Sequence, residues 1–135
     1  MPVTWQSIRV TSSRNTELID ITDAVARACR GSGDAEGLAV VYCPHTTAGV
    51  ITQEAEPGLL RDIEGSLRRT IPQDASYEHD HVDDNAASHL RAVLAGTSAV
   101  VPLRNGRLGL GTWQRILFVE LDGPRARQID VGILS

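Results

Sequence analysis

The segment from Tyr77 to Leu90, YEHDHVDDNAASHL, carries three of the chain's four histidines together with four acidic residues. Imidazoles and carboxylates exchange protons near neutral pH and bind divalent metal ions. The apolar spacing after Asp84 predicts a helix that places His89 on the face of Val93, toward the core. A histidine there is either a hydrogen-bonded core residue or a ligand, and the density of ionisable groups favours a pocket over a plain connector.

His79 and Asp80 precede His89 in a stretch, residues 71–83, that has no apolar periodicity. If the chain folds back there, His79 meets His89, and the Asp80 carboxylate is a natural partner for an imidazole nitrogen. Two histidines and carboxylates can bind zinc or another divalent ion, although the spacing matches no standard zinc-finger or H-E-x-x-H motif. We expect His81, two residues after His79, to face solvent.

The fourth histidine, His45, follows the apolar run GLAVVYC and Pro44, and it precedes Thr46 and Thr47. The two hydroxyls and the local backbone amides could hold an anion such as phosphate. The alternative is a corner between two strands whose threonines bond only to the nearby backbone. From the residues alone, the two interpretations are equally good.

The glycines of residues 106–114, GRLGLGTWQ, are not a nucleotide-binding loop. Their spacing is not G-x-G-x-x-G, and a strand follows them where phosphate binding needs a helix N-terminus. Bulges or close backbone approach are the preferred interpretation, and Trp113 and Gln114 could line a pocket or the core. Four other carboxylates flank a predicted helix start, where the helix dipole favours them: Glu54, Glu56, Asp62 and Glu64.

Composition narrows the classes of function. With 135 residues, of which 41% are hydrophobic, we expect a single compact domain over residues 1–135. The formal net charge is −4 and all 13 basic residues are arginine, so there is no Schiff-base lysine, and we expect no nucleic-acid or membrane partner. Without a leader, a Cys-x-x-Cys pair or an apolar run of about 20 residues, a cytoplasmic protein with reduced thiols is expected.

The apolar patterns predict an α+β fold, with about three helices packed on a largely antiparallel β-sheet. Turn signals at Asn105-Gly106 and Asp122-Gly123-Pro124 indicate a β-meander at the C-terminal end. The predicted elements are strands at 4–12, 37–43 and 45–53, and helices at 20–33, 56–70 and 83–96, followed by the strands of the meander.

Several segments together resemble the YjbQ-like family, often labelled secondary thiamine-phosphate synthase: HTTAGVITQE, YEHD, DDNAASHLRAVLAGTS, VPLRNGRLGLGTWQ and DGPRAR. The resemblance covers nearly the whole chain, and the combination of YxHD, SH and GTWQ is specific. It implies an α+β domain that assembles as a homotrimer, with a histidine-rich pocket for a metal or an anion at or near subunit contacts. It also implies a weak activity that joins a pyrimidine methyl diphosphate to a thiazole phosphate and releases pyrophosphate.

Site residues are carried over from the resemblance by position. The implied catalytic group is His45, His79, His89, Asp80 and Glu54, and its three histidines are the expected ligands of a divalent ion, zinc or magnesium. The implied contacts to the bound molecule are Ser98, Thr112, Trp113 and Gln114. Asp62 and Asp84 match the same polar signature, whereas Cys43 and His81 lie outside it.

Three functions remain open from the sequence. The leading hypothesis is a trimeric thiamine-phosphate synthase of low activity acting on small phosphorylated metabolites. The second is metal-assisted hydrolysis of a phosphorylated metabolite, with Asp80 or Glu54 as the base that activates water. The third is a non-enzymatic trimer that binds an anionic metabolite, in which arginines and threonines hold the anion and histidines form the pocket wall.

Overall fold

The computed structural model describes residues 2–135, which form two antiparallel sheets and three α-helices. The α+β prediction is therefore confirmed. In chain order the elements are β1 (Val3–Thr11), β2 (Glu17–Asp20), α1 (Thr22–Ser32), β3 (Gly37–Tyr42), β4 (Ala48–Gln53), α2 (Pro57–Thr70), a 3-10 turn (Glu78–His81), α3 (Ala86–Ala95), β5 (Ser98–Arg104), β6 (Arg107–Leu108), β7 (Arg115–Glu120) and β8 (Ala126–Leu134).

The two sheets enclose the main core. The larger sheet has the order β1-β8-β3-β5-β6, and the smaller has the order β2-β7-β4. Phe118 and Val50 of the smaller sheet share one buried cluster with Val41 and Val131 of the larger. The other side of the smaller sheet is covered by α2 and α3. No helix within residues 2–135 is long and apolar enough to cross a membrane.

The predicted β-meander is wrong. β5 and β6 do form a hairpin at Asn105-Gly106, where both residues have positive φ, but β7 enters the smaller sheet and β8 lies between β1 and β3. The strand predicted through residues 107–121 is interrupted by a turn, in which the Gln114 Oε1 atom accepts a hydrogen bond from the Gly111 backbone N–H at 2.8 Å. Local turn signals mark where the chain reverses, but they do not say which distant strand it then joins.

The outer face of the larger sheet is apolar and exposed. Strand register aligns Trp5, Gly132, Val40 and Val100 in one row across four strands. Trp5 and Val100 of this row are 60% and 58% exposed. We define the outer face as Val3, Trp5, Leu38, Val40, Tyr42, Val100 and Pro102. Contiguous apolar surface of this kind is typical of sites that contact another molecule.

Helix α3 lies unusually close to β4. The Val50 backbone N–H donates to the Gly96 carbonyl at 3.0 Å, just past the helix C-terminus. A Cβ atom on Gly49 would lie 2.4 Å from that carbonyl oxygen and 3.0 Å from the Cβ atom of Ala95. Glycine at position 49 is therefore required for α3, which carries His89, to pack against the sheet.

A buried ion pair joins the two sheets at the corner that contains His45. The Arg127 Nε atom of β8 donates to Glu120 Oε1 of β7 at 2.9 Å, and Arg127 Nη2 donates to Glu120 Oε2. Arg127 Nη2 also donates to the Thr47 Oγ1 atom at 3.0 Å. Glu120 is fully buried and accepts a further hydrogen bond from the Ser12 hydroxyl at 2.7 Å. This network fixes the backbone immediately after His45.

The carboxyl group of Glu120 is held in its charged form. Burial alone raises its pKa, but hydrogen bonds from Arg127, Ser12 and the Asp122 backbone N–H outweigh burial and lower the pKa below its ordinary value. A folded-state pKa below the unfolded one stabilises the protein fully above the unfolded value, about 4.5. That stabilisation is lost as the pH falls through the folded-state pKa.

We predict that Gly49→Ala destabilises the protein by about 1–3 kcal/mol, because the new methyl group must displace backbone. Urea unfolding measures the change in the free energy of unfolding. The matched control is Gly65→Ala in α2, where the new Cβ atom meets only the ends of the flexible Arg69 and Arg68 side chains. That variant should gain about 0.5–1 kcal/mol. Equal unfolding midpoints for Gly49→Ala and the wild type would contradict the packing argument.

We also predict that Arg127→Met lowers the free energy of unfolding at pH 7 by about 3–5 kcal/mol, because it leaves the Glu120 carboxylate buried without a cation. The control is the double variant Glu120→Gln with Arg127→Met, which removes the unpaired charge and should recover part of the loss. Urea unfolding of the two variants gives the comparison. A double variant less stable than Arg127→Met alone would argue against the charge explanation.

Candidate functional site

His45 and His89 line one cavity of about 520 Å³, which we call the histidine pocket. Its wall comes from the end of β3, the corner that follows and one side of α3. The remaining lining includes Tyr42, Pro44, Thr46, Val93 and Thr97. A volume of this size suits a small metabolite, and the mixture of apolar wall with a few polar groups is typical of ligand sites.

The chain positions His45 by ending a strand early. Tyr42 pairs with Asp130 of β8, but Pro44 has no N–H and cannot extend this ladder. The His45 side chain takes the place of the missing strand, because its Nε2 atom lies 3.0 Å from both the backbone N and the backbone O of Gln128. One of these two contacts is the hydrogen bond, according to the tautomer. In either tautomer, Nδ1 remains for a bound molecule.

His79 packs against His89. The ring centroids are 4.8 Å apart and the ring planes meet at 77°, which is an edge-to-face contact. The 3-10 turn that carries His79 is held by Asp80, whose Oδ2 atom accepts a hydrogen bond from the Tyr77 backbone N–H at 2.9 Å. Asp80 therefore binds backbone, where the sequence had suggested an imidazole partner. His81 is exposed, as expected.

The three predicted metal ligands lie in one region but do not form a metal site. Among residues 2–135, no three side chains of His, Cys, Asp or Glu are close enough together to hold an ion. His79 and His89 are adjacent, with ring centroids 4.8 Å apart, but no third such side chain of the described residues joins them. The predicted set of His45, His79 and His89 is thus not assembled as a ligand set within the chain.

The Cys43 thiol lies at the pocket but is not an activated nucleophile. Cys43 is buried, and burial raises the pKa of its thiol more than the backbone N–H of His45 lowers it. The thiolate is the reactive form of cysteine, so a raised pKa keeps the group inert near neutral pH. Both cysteines, Cys29 and Cys43, are free and buried.

A second group of predicted site residues lies at the other end of the smaller sheet. Glu54, Thr112 and Trp113 line a shallow depression together with Arg115. In the β4–β7 register, Ala48 opposes Glu120 at the His45 end and Gln53 opposes Arg115 at this end. Five residue steps along a strand span about 17 Å. The structure therefore does not bring Glu54 or Trp113 to the histidines of the same chain.

The two remaining predicted contact residues have different surroundings. Gln114 is exposed and closes the turn with Gly111 described above. Ser98 begins β5 directly opposite Tyr42, on the exposed side of the larger sheet. Ser98 is thus next to the histidine pocket through Tyr42, whereas Gln114 belongs to the distant group.

Sequence reasoning missed Tyr42 and Thr97 as pocket residues. In the predicted strand GLAVVYC, Leu38 and Tyr42 are 41% and 45% exposed, whereas Ala39 and Val41 are fully buried. A polar hydroxyl on Tyr42, two residues before the strand-ending Pro44, was the available signal for this residue. Thr97 carried no such signal, because its place depends on the hydrogen bond from the Cys43 backbone N–H to its carbonyl at 2.7 Å.

Comparison with known proteins identifies the family. Residues 6–135 match the family described as UPF0047 protein YjbQ-like. A UPF0047 protein of Methanothermobacter thermautotrophicus is 49% identical over 133 residues, covering 98% of this chain and 93% of that protein. A YbjQ-like protein of unknown function from Sulfolobus solfataricus superposes with a TM-score of 0.96 at 41% identity, covering 99% and 98% of the two chains. A hypothetical protein from Aeropyrum pernix superposes with a TM-score of 0.95 at 43% identity, covering 98% of each chain. The chain belongs to the YjbQ-like UPF0047 family.

Proposed function

We propose that the histidine pocket binds a small phosphorylated metabolite and that the protein is a thiamine-phosphate synthase of low activity. The observation that supports this most is the meeting of His45 and His89 on one cavity, with the His79 ring packed against His89. In the proposed reaction, the bond from the pyrimidine methylene carbon to the diphosphate oxygen breaks. The thiazole nitrogen forms the new bond to that carbon, and pyrophosphate leaves with the electron pair.

Negative charge develops on the diphosphate as it leaves, and the pocket offers donors for it. The His45 ring is fixed through Nε2 to Gln128, so its Nδ1 atom is oriented before any ligand arrives. The Thr46 hydroxyl lies at the same cavity. Preorganised donors of this kind stabilise developing charge by about 3 kcal/mol each when water is excluded. Pro44, Ala92 and Val93 form the apolar part of the pocket wall.

A divalent ion, zinc or magnesium, stays a prediction. Because the described side chains do not supply three ligands at one point within a chain, the proposed mechanism contains no step through a metal. Metal analysis of the purified protein tests the prediction directly. Ion bound in stoichiometric amount, and lost in His89→Ala, would support it.

Hydrolysis receives less support than transfer. The two carboxylates suggested as bases for a water molecule are Asp80 and Glu54. Asp80 uses one oxygen to hold the Tyr77 backbone, and Glu54 lies with Trp113 at the other end of the smaller sheet. Neither lines the histidine pocket of the same chain, so hydrolysis would need Glu54 from a neighbouring chain. A general base must lie within hydrogen-bonding reach of the water that it activates.

We further propose that three copies assemble through the outer face of the larger sheet, as the family resemblance implies. The support is that Tyr42 belongs both to this face and to the histidine pocket, with Ser98 directly opposite it. A neighbour seated on the outer face therefore reaches the rim of the pocket. The Trp113 side chain, 72% exposed at the far end of the smaller sheet, is the group that we assign to complete the pocket of a neighbour.

We predict that thiamine phosphate forms only when both half-substrates are present. His89→Ala should lower the rate of its formation by about 100-fold or more, because the variant loses a group that transfers a proton or stabilises charge. Chromatography with mass detection measures the product. The control is His81→Ala, which removes an exposed histidine of the same segment and should keep the wild-type rate. An unchanged rate in His89→Ala, or binding without conversion, would refute the proposal.

We predict that Val100→Asp on the outer face converts the trimer to monomers, because the interface must then bury a charge without a partner. Light scattering coupled to size-exclusion chromatography gives the mass. The control, Val82→Asp, makes the same change at a position that is 80% exposed outside the outer face and should leave the mass unchanged.

Mixed assemblies test the shared site. Suppose that each pocket uses His89 of one chain and Trp113 of the next. Inactive His89→Ala and Trp113→Ala proteins refolded together in equal amounts should then regain about a quarter of the wild-type activity, because random assembly around a closed ring restores both residues in about one pocket of four. A mixture of His45→Ala and His89→Ala should regain none, since both residues belong to one chain's half of the pocket. Absence of recovery in the first mixture would contradict a site between chains.

A further inference from the structure

A second cavity lies on the opposite side of α3 from the histidine pocket. It has a volume of about 460 Å³, and Ser88 and Arg91 of α3 line it, whereas His89 and Val93 line the histidine pocket. Successive residues of a helix rotate by about 100°, so neighbours in sequence serve different sides. We call this space the arginine cavity, because Arg68 of α2 lies across it from Arg91.

Arg91 is a buried cation without a carboxylate partner. Arg91 is only 3% exposed. Its Nε and Nη2 atoms both donate to the Ile71 carbonyl, at 2.9 and 2.7 Å. These bonds cap the C-terminus of α2, which explains two of the three nitrogen atoms. Within residues 2–135, no ion pair joins Arg91 to an acid. A buried charge without a countercharge is costly.

Arg68 adds a second positive charge to the same cavity. Its carboxylate partner, Glu64, is 3.8 Å away and is held more closely, at 3.2 Å, by Arg14. One carboxylate is thus shared between two arginines. Burial lowers the pKa of Arg91; Tyr77 opposes this shift and the charge of Arg68 adds to it.

Asn85 presents an unpaired acceptor beside these cations. Its Oδ1 atom is buried and has no hydrogen-bond partner among the described residues. The amide orientation is fixed, because the Nδ2 atom donates to Asp122 Oδ2 at 2.9 Å. Buried amide oxygens in native proteins almost always accept a hydrogen bond. The missing partner must therefore be a donor, such as a hydroxyl group.

We propose that the arginine cavity is a separate binding site for a small phosphate monoester that carries a free hydroxyl group. Arg91 and Arg68 hold the phosphate, and Asn85 Oδ1 accepts the hydrogen bond from the hydroxyl. Guanidinium groups bind phosphate oxygens through paired, charge-assisted hydrogen bonds. Two carboxylates also line the cavity, Asp84 at the exposed rim and Asp122, whose Oδ2 atom accepts from Asn85 and Arg125, and both disfavour molecules with additional negative charge.

NMR titration of the full chain tests the site, with inorganic phosphate, glycerol 3-phosphate and glycerol as probes at constant ionic strength. We expect saturable shifts of the Arg91 Nε–H and Asn85 side-chain amide signals with both phosphates, with glycerol 3-phosphate binding more tightly than inorganic phosphate. Glycerol alone should give none. Failure of both phosphates to produce saturable shifts at these two residues would overturn the proposal.

Two substitutions separate a specific site from general charge attraction. Arg68→Gln, on a side chain that is 55% exposed, should weaken phosphate binding about tenfold, the loss expected for one charge-assisted contact. Arg27→Gln removes the same charge from the exposed surface of α1 and should have no effect. Equal weakening in the two variants would overturn the proposal. His89→Ala should keep the phosphate-dependent shifts, so this site and the proposed reaction succeed or fail independently.

Discussion

The buried ion pair between Glu120 and Arg127 is the interaction on which the histidine corner depends. Glu120 lies in the smaller sheet and Arg127 in the larger, so their pairing ties the two sheets together at one end. The same arginine holds Thr47, two residues after His45. The next residue of β8, Gln128, provides the backbone contact to the His45 ring. Strand β8 thus fixes the backbone after His45 through the buried Arg127 side chain, and it fixes the His45 imidazole through the backbone of Gln128.

Helix α3 is the second positioning element, and it serves two cavities. Its close approach to β4, which Gly49 permits, sets the depth of both. The Ser88 hydroxyl donates to the Leu121 carbonyl at 2.6 Å, immediately after Glu120 in the chain. The helix is therefore anchored to the same end of the smaller sheet as the ion pair. A movement of α3 would alter the histidine pocket and the arginine cavity together, because both walls belong to one rigid element.

Sequence patterns predicted what is encoded locally. Gly33 ends α1 in a left-handed conformation, and Pro57 lies in the first turn of α2, as the residue types indicated. The cap of α2 by the Glu56 side chain was not predicted. The short β2 was missed because four residues carry too little periodicity to be recognised. The pairing of β7 and β8 with distant strands could not be predicted either, since it depends on contacts more than a hundred residues apart, such as Ser12 with Glu120. Asp80 was misjudged because a carboxylate in a tight turn satisfies its own backbone first.

The separation of the predicted site residues into two groups has a structural cause that loop movement cannot remove. Glu54 and Trp113 flank one end of the paired β4–β7 ladder. His45 lies at the other end, three residues before β4 begins at Ala48. A hydrogen-bonded ladder holds its two ends at a fixed distance, so Trp113 cannot approach the histidines of its own chain. Two explanations remain: two unrelated sites, or one site formed by two chains. A head-to-tail contact that closes into a ring brings one end of each subunit to the opposite end of the next. The exposed apolar face that begins at Tyr42 and Ser98 is where we propose that such a contact forms, which is why we favour the shared site.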